Sequence, residues 1–224
     1  MGLYIHFSHQ CPVQIWGLTS QQRIGKVLKG IADSSTANGF DSLLDNDSVL
    51  IMRADYLFDD RLVKYLAATP NITLQLTGNQ PLVTVAAHVP ARYAQQALNI
   101  IEGKTVADPL PDIQNQTIET ISVSFQEKLL KFEPPFVLSI TADKQRQLEQ
   151  RLFDWSYKGI TDLVTKWAWP RPACWVVRHC VRLKIRPNHV TLAGLLLAIF
   201  AGIFFAYGQY GWGLLAGWLM TFLD

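Results

Sequence analysis

The rhythm of apolar positions changes twice along this chain and divides it into three parts. Over the first 125 or so residues, short β-rich runs alternate with helical patterns, the habit of a sheet with crossover helices. Residues 3–7 and 13–16 read as short strands. Thr19 or Ser20 is placed to cap a helix whose buried stripe includes Ile24, Val27 and Leu28, with Gly30 near its end. Residues 38–47, rich in Asp, Asn and Ser, read as loop. The continuous apolar run 48–53 suits a strand covered on both faces, ending at Ala54-Asp55. A helix over 59–68 follows, stopped by Thr69-Pro70. Residues 72–76 and 82–87 form two more strands around a turn at Gly78-Asn79. Pro90 opens a helix through Tyr93, Ala94, Leu98 and Ile101, and 107–116 reads as a connection.

The second part, 141–169, is a long helical pattern with a bend expected at Gly159. Phe153, Tyr157, Ile160, Val164 and Trp167 share one side; Asp154, Lys158, Asp162 and Lys166 recur every four residues on the other. Each of the two Asp-to-Lys pairs adds about 0.3 kcal/mol to such a helix. With Trp155, Trp167, Trp169 and Trp175 nearby, it suits a bilayer interface; packing against the soluble part is the alternative. Pro170 and Pro172 break the pattern, and 173–183 resumes it with a basic face.

The third part has no Lys, Arg, Asp or Glu from Pro187 to Leu223. Residues 190–207 are uncharged over ~27 Å at ~1.5 Å per residue, nearly a hydrocarbon core. A polar turn follows at 208–211. Residues 212–223 begin a second span too short to finish crossing. Unsatisfied backbone in hydrocarbon costs several kcal/mol per group, so the chain is expected to be a fragment of a longer protein.

Charge and cysteine content narrow the class. The net charge of +2 is too small to suggest nucleic acid, but Arg171, Arg178, Arg182, Lys184 and Arg186 crowd the start of the apolar stretch. By the positive-inside rule the N-terminal part then faces the cytoplasm, and the protein is integral to the membrane. Cys11, Cys174 and Cys180 are an odd number without a C-x-x-C pair, so neither a disulfide framework nor a zinc site is indicated. No secretory signal is visible, and His6 stands where a myristoylation site wants Ser or Thr. The five histidines show no ligand spacing.

Asp224 is the first acid after that long uncharged stretch. An ionisable group inside a membrane helix costs roughly 2.5 to 3.5 kcal/mol and marks a functional site, unless the helix has reached water. Trp167-Ala168-Trp169-Pro170-Arg171-Pro172, the Pro187-Asn188-His189-Val190-Thr191 start of the first span, and Asp224 at the end of the second together resemble the CDP-alcohol phosphotransferase family. The resemblance is best to members with a nucleotidyltransferase-like domain ahead of the membrane part. It implies three regions: an α/β domain over 1–140 with a degenerate nucleotidyltransferase-like sheet, juxtamembrane amphipathic helices over 141–186, and the start of an all-α membrane domain over 187–224. Of the family signature D-x-x-D-G-x-x-A-R-…-G-x-x-x-D-x-x-x-D, Asp224 corresponds to the first acid.

The resemblance further implies transfer of a phospho-alcohol or phosphatidyl group from a CDP-alcohol to an acceptor hydroxyl, with release of CMP, in phospholipid synthesis. Acids from neighbouring helices would hold Mg2+ or Mn2+ against the diphosphate. One Asp cannot do this, so the fragment itself is expected to be inactive. Asn188 and Thr191 fall beside the implied nucleotide pocket; as a plain helix cap, Asn188 is worth about 1 kcal/mol, and that reading is favoured. Gly194, Ala198, Gly202 and Ala206 form a small-residue ridge suited to close helix packing and to the homodimers common in the family.

In the front domain, 17–23 resembles the segment behind the glycine-rich loop of sugar-nucleotide transferases, and Asp55 resembles their strand-end metal ligand. No glycine-rich loop precedes Gly17; Ser8 to Pro12 stand there, so backbone cannot approach phosphates closely. Asp55 is then either a metal ligand or a turn residue, and Arg23 is expected to be solvated. A membrane-tethered sugar- or polyol-phosphate nucleotidyltransferase and a non-catalytic partner-binding domain remain as alternatives.

Overall fold

A computed structural model describes residues 2–32, 40, 43–44, 46–77, 82–104, 110–121, 135–156 and 169–223. The chain forms two compact units, Met1–Gln145 and Arg146–Asp224. The first contains β1 (Leu3–Ser8), α1 (Ser20–Val27), β2 (Ser48–Arg53), β3 (Tyr56–Phe58), α2 (Asp60–Ala68), β4 (Ile72–Leu76), β5 (Val83–Pro90), α3 (Ala94–Ile101), β6 (Gln114–Thr117) and β7 (Val137–Ser139). Five strands make one sheet in the order β1-β2-β5-β4-β6, and β3 pairs with β7 in a separate antiparallel ribbon. β1 is parallel to β2 and β4 to β6, while β5 runs antiparallel to both neighbours. The unit is thus an α/β fold with a mixed sheet.

The apolar run in β2 is continuous because both of its faces are covered. Alternation sends Leu50 and Met52 toward Ile24 of α1, Leu28 at its C-terminal end, and Leu62 and Leu66 of α2. Val49 and Ile51 point the other way, into a cluster with Ala94, Ala97 and Ile101 of α3. Each such side chain contributes about 1.5 to 3 kcal/mol of burial. Of the two cap candidates for α1, Thr19 takes the role: its side chain accepts from the Gln22 backbone N–H, and the Gln22 side chain accepts from the Thr19 N–H. Asp59 caps α2 by accepting from the Arg61 N–H at 2.9 Å.

Three readings of the sequence change. Residues 13–16 are not a strand: Ile15 and Leu18 close a tight turn with Trp16 at φ 51° and Gly17 at φ 72°, and only Gly takes such a φ without strain. Gln114–Thr117, expected to be connection, is an edge strand on β4; its side chains are polar because this edge does not need an apolar pattern. Pro90 leads first into a 3-10 turn, Ala91–Tyr93, and α3 starts only after it. β7 lies in the short apolar run 136–140, which is not among the strands expected from the sequence. Half of the 38–47 loop, and Gly78 and Asn79, lie outside the described residues.

The second unit contains α4 (Gln145–Ser156, which starts at the boundary), α5 (Pro170–Arg182), α6 (Pro187–Ala206) and α7 (Tyr210–Leu223). Leu148 and Phe153 are buried in α4, in keeping with an amphipathic pattern. The expected bend at Gly159, together with Lys158, Asp162 and Lys166 of the Asp-to-Lys pairs, lies outside the described residues. α5 begins at Pro170, earlier than the expected restart at residue 173: Pro170 and Pro172 sit in its first turn, where a backbone N–H would have no partner. α5 meets α4 through Cys174, whose Sγ lies 3.8 Å from the Gln150 Oε1, and through Arg178, whose Nε lies 4.0 Å from the Glu149 Oε2.

α6 and α7 pack against each other as a hairpin joined at Gly208, which takes φ 73°. Its seam is built from small residues: Ala201, Gly213 and Ala216 are buried, and a Cβ on Gly213 would lie 2.9 Å from the Phe205 ring. The Gly194-to-Ala206 ridge is not that seam, since a Cβ at Gly194 or Gly202 would meet nothing within 4 Å.

Candidate functional site

The carboxyl ends of β1 and β2 lie side by side, with Ser8 in register with Arg53 and the Ala54 N–H donating to the Ser8 carbonyl at 2.8 Å. Open α/β sheets form sites at such edges. Asp55 lies just beyond, and Arg53 holds both of its carboxylate oxygens, through Nε at 2.9 Å and Nη2 at 2.6 Å. The guanidinium also lies over the Tyr56 ring, 5.1 Å from its centroid. This arrangement raises the Arg53 pKa, chiefly through the hydrogen bond to Asp55. A divalent cation would have to displace that guanidinium, and no group of three or more His, Cys, Asp or Glu able to hold a metal occurs among the described residues. Asp55 in this geometry does not fit a metal.

The segment between β1 and α1 is tied down from within. Arg23, expected to be solvated, reaches back so that Nη2 donates to the Ile15 carbonyl at 3.3 Å; the residue is half-buried. Ser20 Oγ donates to the Tyr56 carbonyl at 2.5 Å, fixing the start of α1 to β3. Ser8 Oγ is buried and has no hydrogen-bond partner among the described residues.

At the start of α6, Arg186 is the N-cap residue and contributes no side-chain cap; Pro187 follows in the first turn. Asn188 is therefore inside the helix, and the capping role favoured for it is corrected: proline at the first helical position shifts the cap upstream by two residues. Asn188 and Thr191 are both exposed and, three residues apart, share one face. Thr191 Oγ1 donates to the Pro187 carbonyl at 3.3 Å. Asp224 lies outside the described residues.

His88 is the polar residue whose role the sequence hides. It is buried on β5, the middle strand of the sheet; Nδ1 lies 2.8 Å from the Leu66 carbonyl and Nε2 3.0 Å from Ser48 Oγ. A carbonyl can only accept, so Nδ1 carries the proton and Nε2 accepts from Ser48. Leu66 is in the last turn of α2, whose carbonyls lack helical partners, so His88 caps that helix from the sheet. Burial lowers its pKa. No spacing signal could have found this; it depends on β5 lying next to β2.

No protein-family model and no curated protein matches the chain. One helix among the described residues, Pro187–Ala206, is long and apolar enough to cross a membrane.

Proposed function

We propose that the chain is part of a membrane CDP-alcohol phosphotransferase, which moves a phospho-alcohol or phosphatidyl group from a CDP-alcohol to an acceptor hydroxyl with release of CMP. The observation that carries this reading is the start of α6: Asn188 and Thr191 of the P-N-x-V-T resemblance share one exposed face of the apolar helix, next to a basic turn. α6 has 20 residues, about 30 Å at ~1.5 Å per residue, which matches a hydrocarbon core. Only Ala201 of it is buried, unlike the core helix of a soluble protein. Aromatic residues mark both ends of the hairpin, as at the two interfaces of a bilayer. At one end Tyr207, Tyr210 and Trp212 are exposed; at the other, Trp169 packs on Phe222 at 4.9 Å and Trp218 at 5.8 Å. The basic residues at the second end favour a cytoplasmic first unit by the positive-inside rule.

Asn188 and Thr191 are the residues offered to the nucleotide, and Asp224 is the one acid of the family signature present in these 224 residues. Mg2+ or Mn2+, held by Asp224 with the remaining acids of that signature, would offset charge on the diphosphate. The Gly194-to-Ala206 ridge, open in the hairpin, is offered to a homodimer. In this reading the front domain is a degenerate, non-catalytic relative of nucleotidyltransferases, a view supported by the Arg53 to Asp55 pairing. The coding sequence after codon 224 tests the proposal. Continuation through a second acid, Gly and an Ala-Arg pair within about ten residues, as the family signature implies, supports it, those acids being the ones that would hold the metal; a stop codon or unrelated sequence overturns it. The chain as given is expected to release no CMP from CDP-alcohols.

A further inference from the structure

We propose that the end of the hairpin where α6 begins binds anionic phospholipid headgroups, through Arg171, Arg182, Lys184 and Arg186. The inference rests on the reading of α6 as a membrane span. From Trp169 to Leu223 the chain has five cations, Arg171, Arg178, Arg182, Lys184 and Arg186, and no acid. Arg178 has Glu149 as its partner. The other four are exposed and take part in no ion pair among the described residues. A soluble surface ordinarily intersperses acids among its cations, and this one does not.

The same segment exposes large apolar side chains: Trp175 is 64% exposed and Leu183 70%. Arg171, Trp175, Arg178 and Arg182 recur at intervals of three or four along α5 and so share one stripe. Unpaired cations interleaved with exposed Trp and Leu, at the level where an apolar helix starts, complement a layer with phosphates above and acyl chains below. An acidic protein partner would satisfy the charges but has no use for the apolar residues between them. The span is continuous with this surface through residues 183–186, which keeps the cations within reach of the headgroups.

The test uses the full chain reconstituted in phosphatidylcholine bilayers containing a trace of spin-labelled phosphatidylglycerol or spin-labelled phosphatidylcholine. Electron paramagnetic resonance reads the fraction of each label slowed by the protein. Phosphatidylglycerol should be slowed in preference by about fivefold, the effect of roughly one cation beside one anionic headgroup. The preference should shrink at about 0.5 M salt, where the screening length falls well below its value near 10 Å at 0.1 M. Arg171→Gln, Arg182→Gln, Lys184→Gln and Arg186→Gln together should bring it near parity, while Lys in place of the three arginines should preserve it. Equal slowing of both lipids by the wild-type chain would leave the cations to an acidic protein and overturn the proposal. So would a Gln variant that keeps the full preference. If neither lipid is slowed at all, the membrane reading itself falls, a result distinct from loss of headgroup preference and independent of any transferase activity.

Discussion

Replacing His88 tests how the first unit is held together, because that ring ties β5 to both β2 and α2. His88→Ala removes two hydrogen bonds, at 2.8 and 3.0 Å, each contributing about 1 kcal/mol. It also leaves a cavity under a sheet that excludes solvent, for a further loss of about 1 to 2 kcal/mol. The expected destabilisation is therefore about 3 kcal/mol. The pH dependence follows from the neutral ring. Burial depresses the folded-state pKa below the unfolded value of about 6.5. The stabilisation is thus complete above about pH 6.5 and is lost as pH falls from there through the folded value, because the unfolded chain binds the proton first. A urea titration of the full chain in zwitterionic detergent, read by hydrogen exchange in β2 and β5, measures both effects. The urea midpoint should fall between pH 7 and 5 in the wild type and change less in His88→Gln. A His88→Ala cost below about 1 kcal/mol, or identical pH slopes in wild type and His88→Gln, would refute the assigned tautomer and its partners.

Other substitutions probe separate joints. Asp55→Asn removes the negative charge and one of the two acceptors that Arg53 uses and should cost about 1 to 2 kcal/mol, whether or not Mg2+ is present; Mg2+-dependent stabilisation that this variant abolishes would make Asp55 a metal ligand after all. Thr19→Ala removes one half of the α1 capping box and should cost about 1 kcal/mol in the same urea titration. Gly213→Leu drives a side chain into the Phe205 ring and should cost about 1 to 3 kcal/mol, seen as a lower midpoint of thermal unfolding in micelles, while Gly194→Leu should be tolerated there.

What was legible in the sequence is what one element encodes by itself. β2 announces itself because both of its faces are covered, and α2 because its cap and its apolar stripe are local; both stand close to where the sequence puts them. The apolar stretch of α6 is equally local. What was not legible depends on pairing. The strand Gln114–Thr117 exists because β4 offers it an edge, and β7 because β3 does. The pairing of Asp55 with Arg53 arises because the chain turns at Ala54, which a spacing of two residues does not by itself reveal. Proline misled at one place: Pro170 lies inside the first turn of α5, which therefore begins before residue 173, whereas Pro187 opens α6 where the sequence puts the start of the first span.

The central claim is that α6 crosses a lipid bilayer, and cysteine accessibility in sealed vesicles tests it most directly. With Cys11, Cys174 and Cys180 replaced, single cysteines at Arg186, Leu196 and Gln209 are exposed to a membrane-impermeant maleimide from either side. The account predicts labelling of Arg186→Cys from one side only, of Gln209→Cys from the opposite side only, and none at Leu196→Cys. Labelling of Arg186→Cys and Gln209→Cys from the same side, or ready labelling of Leu196→Cys, would contradict it.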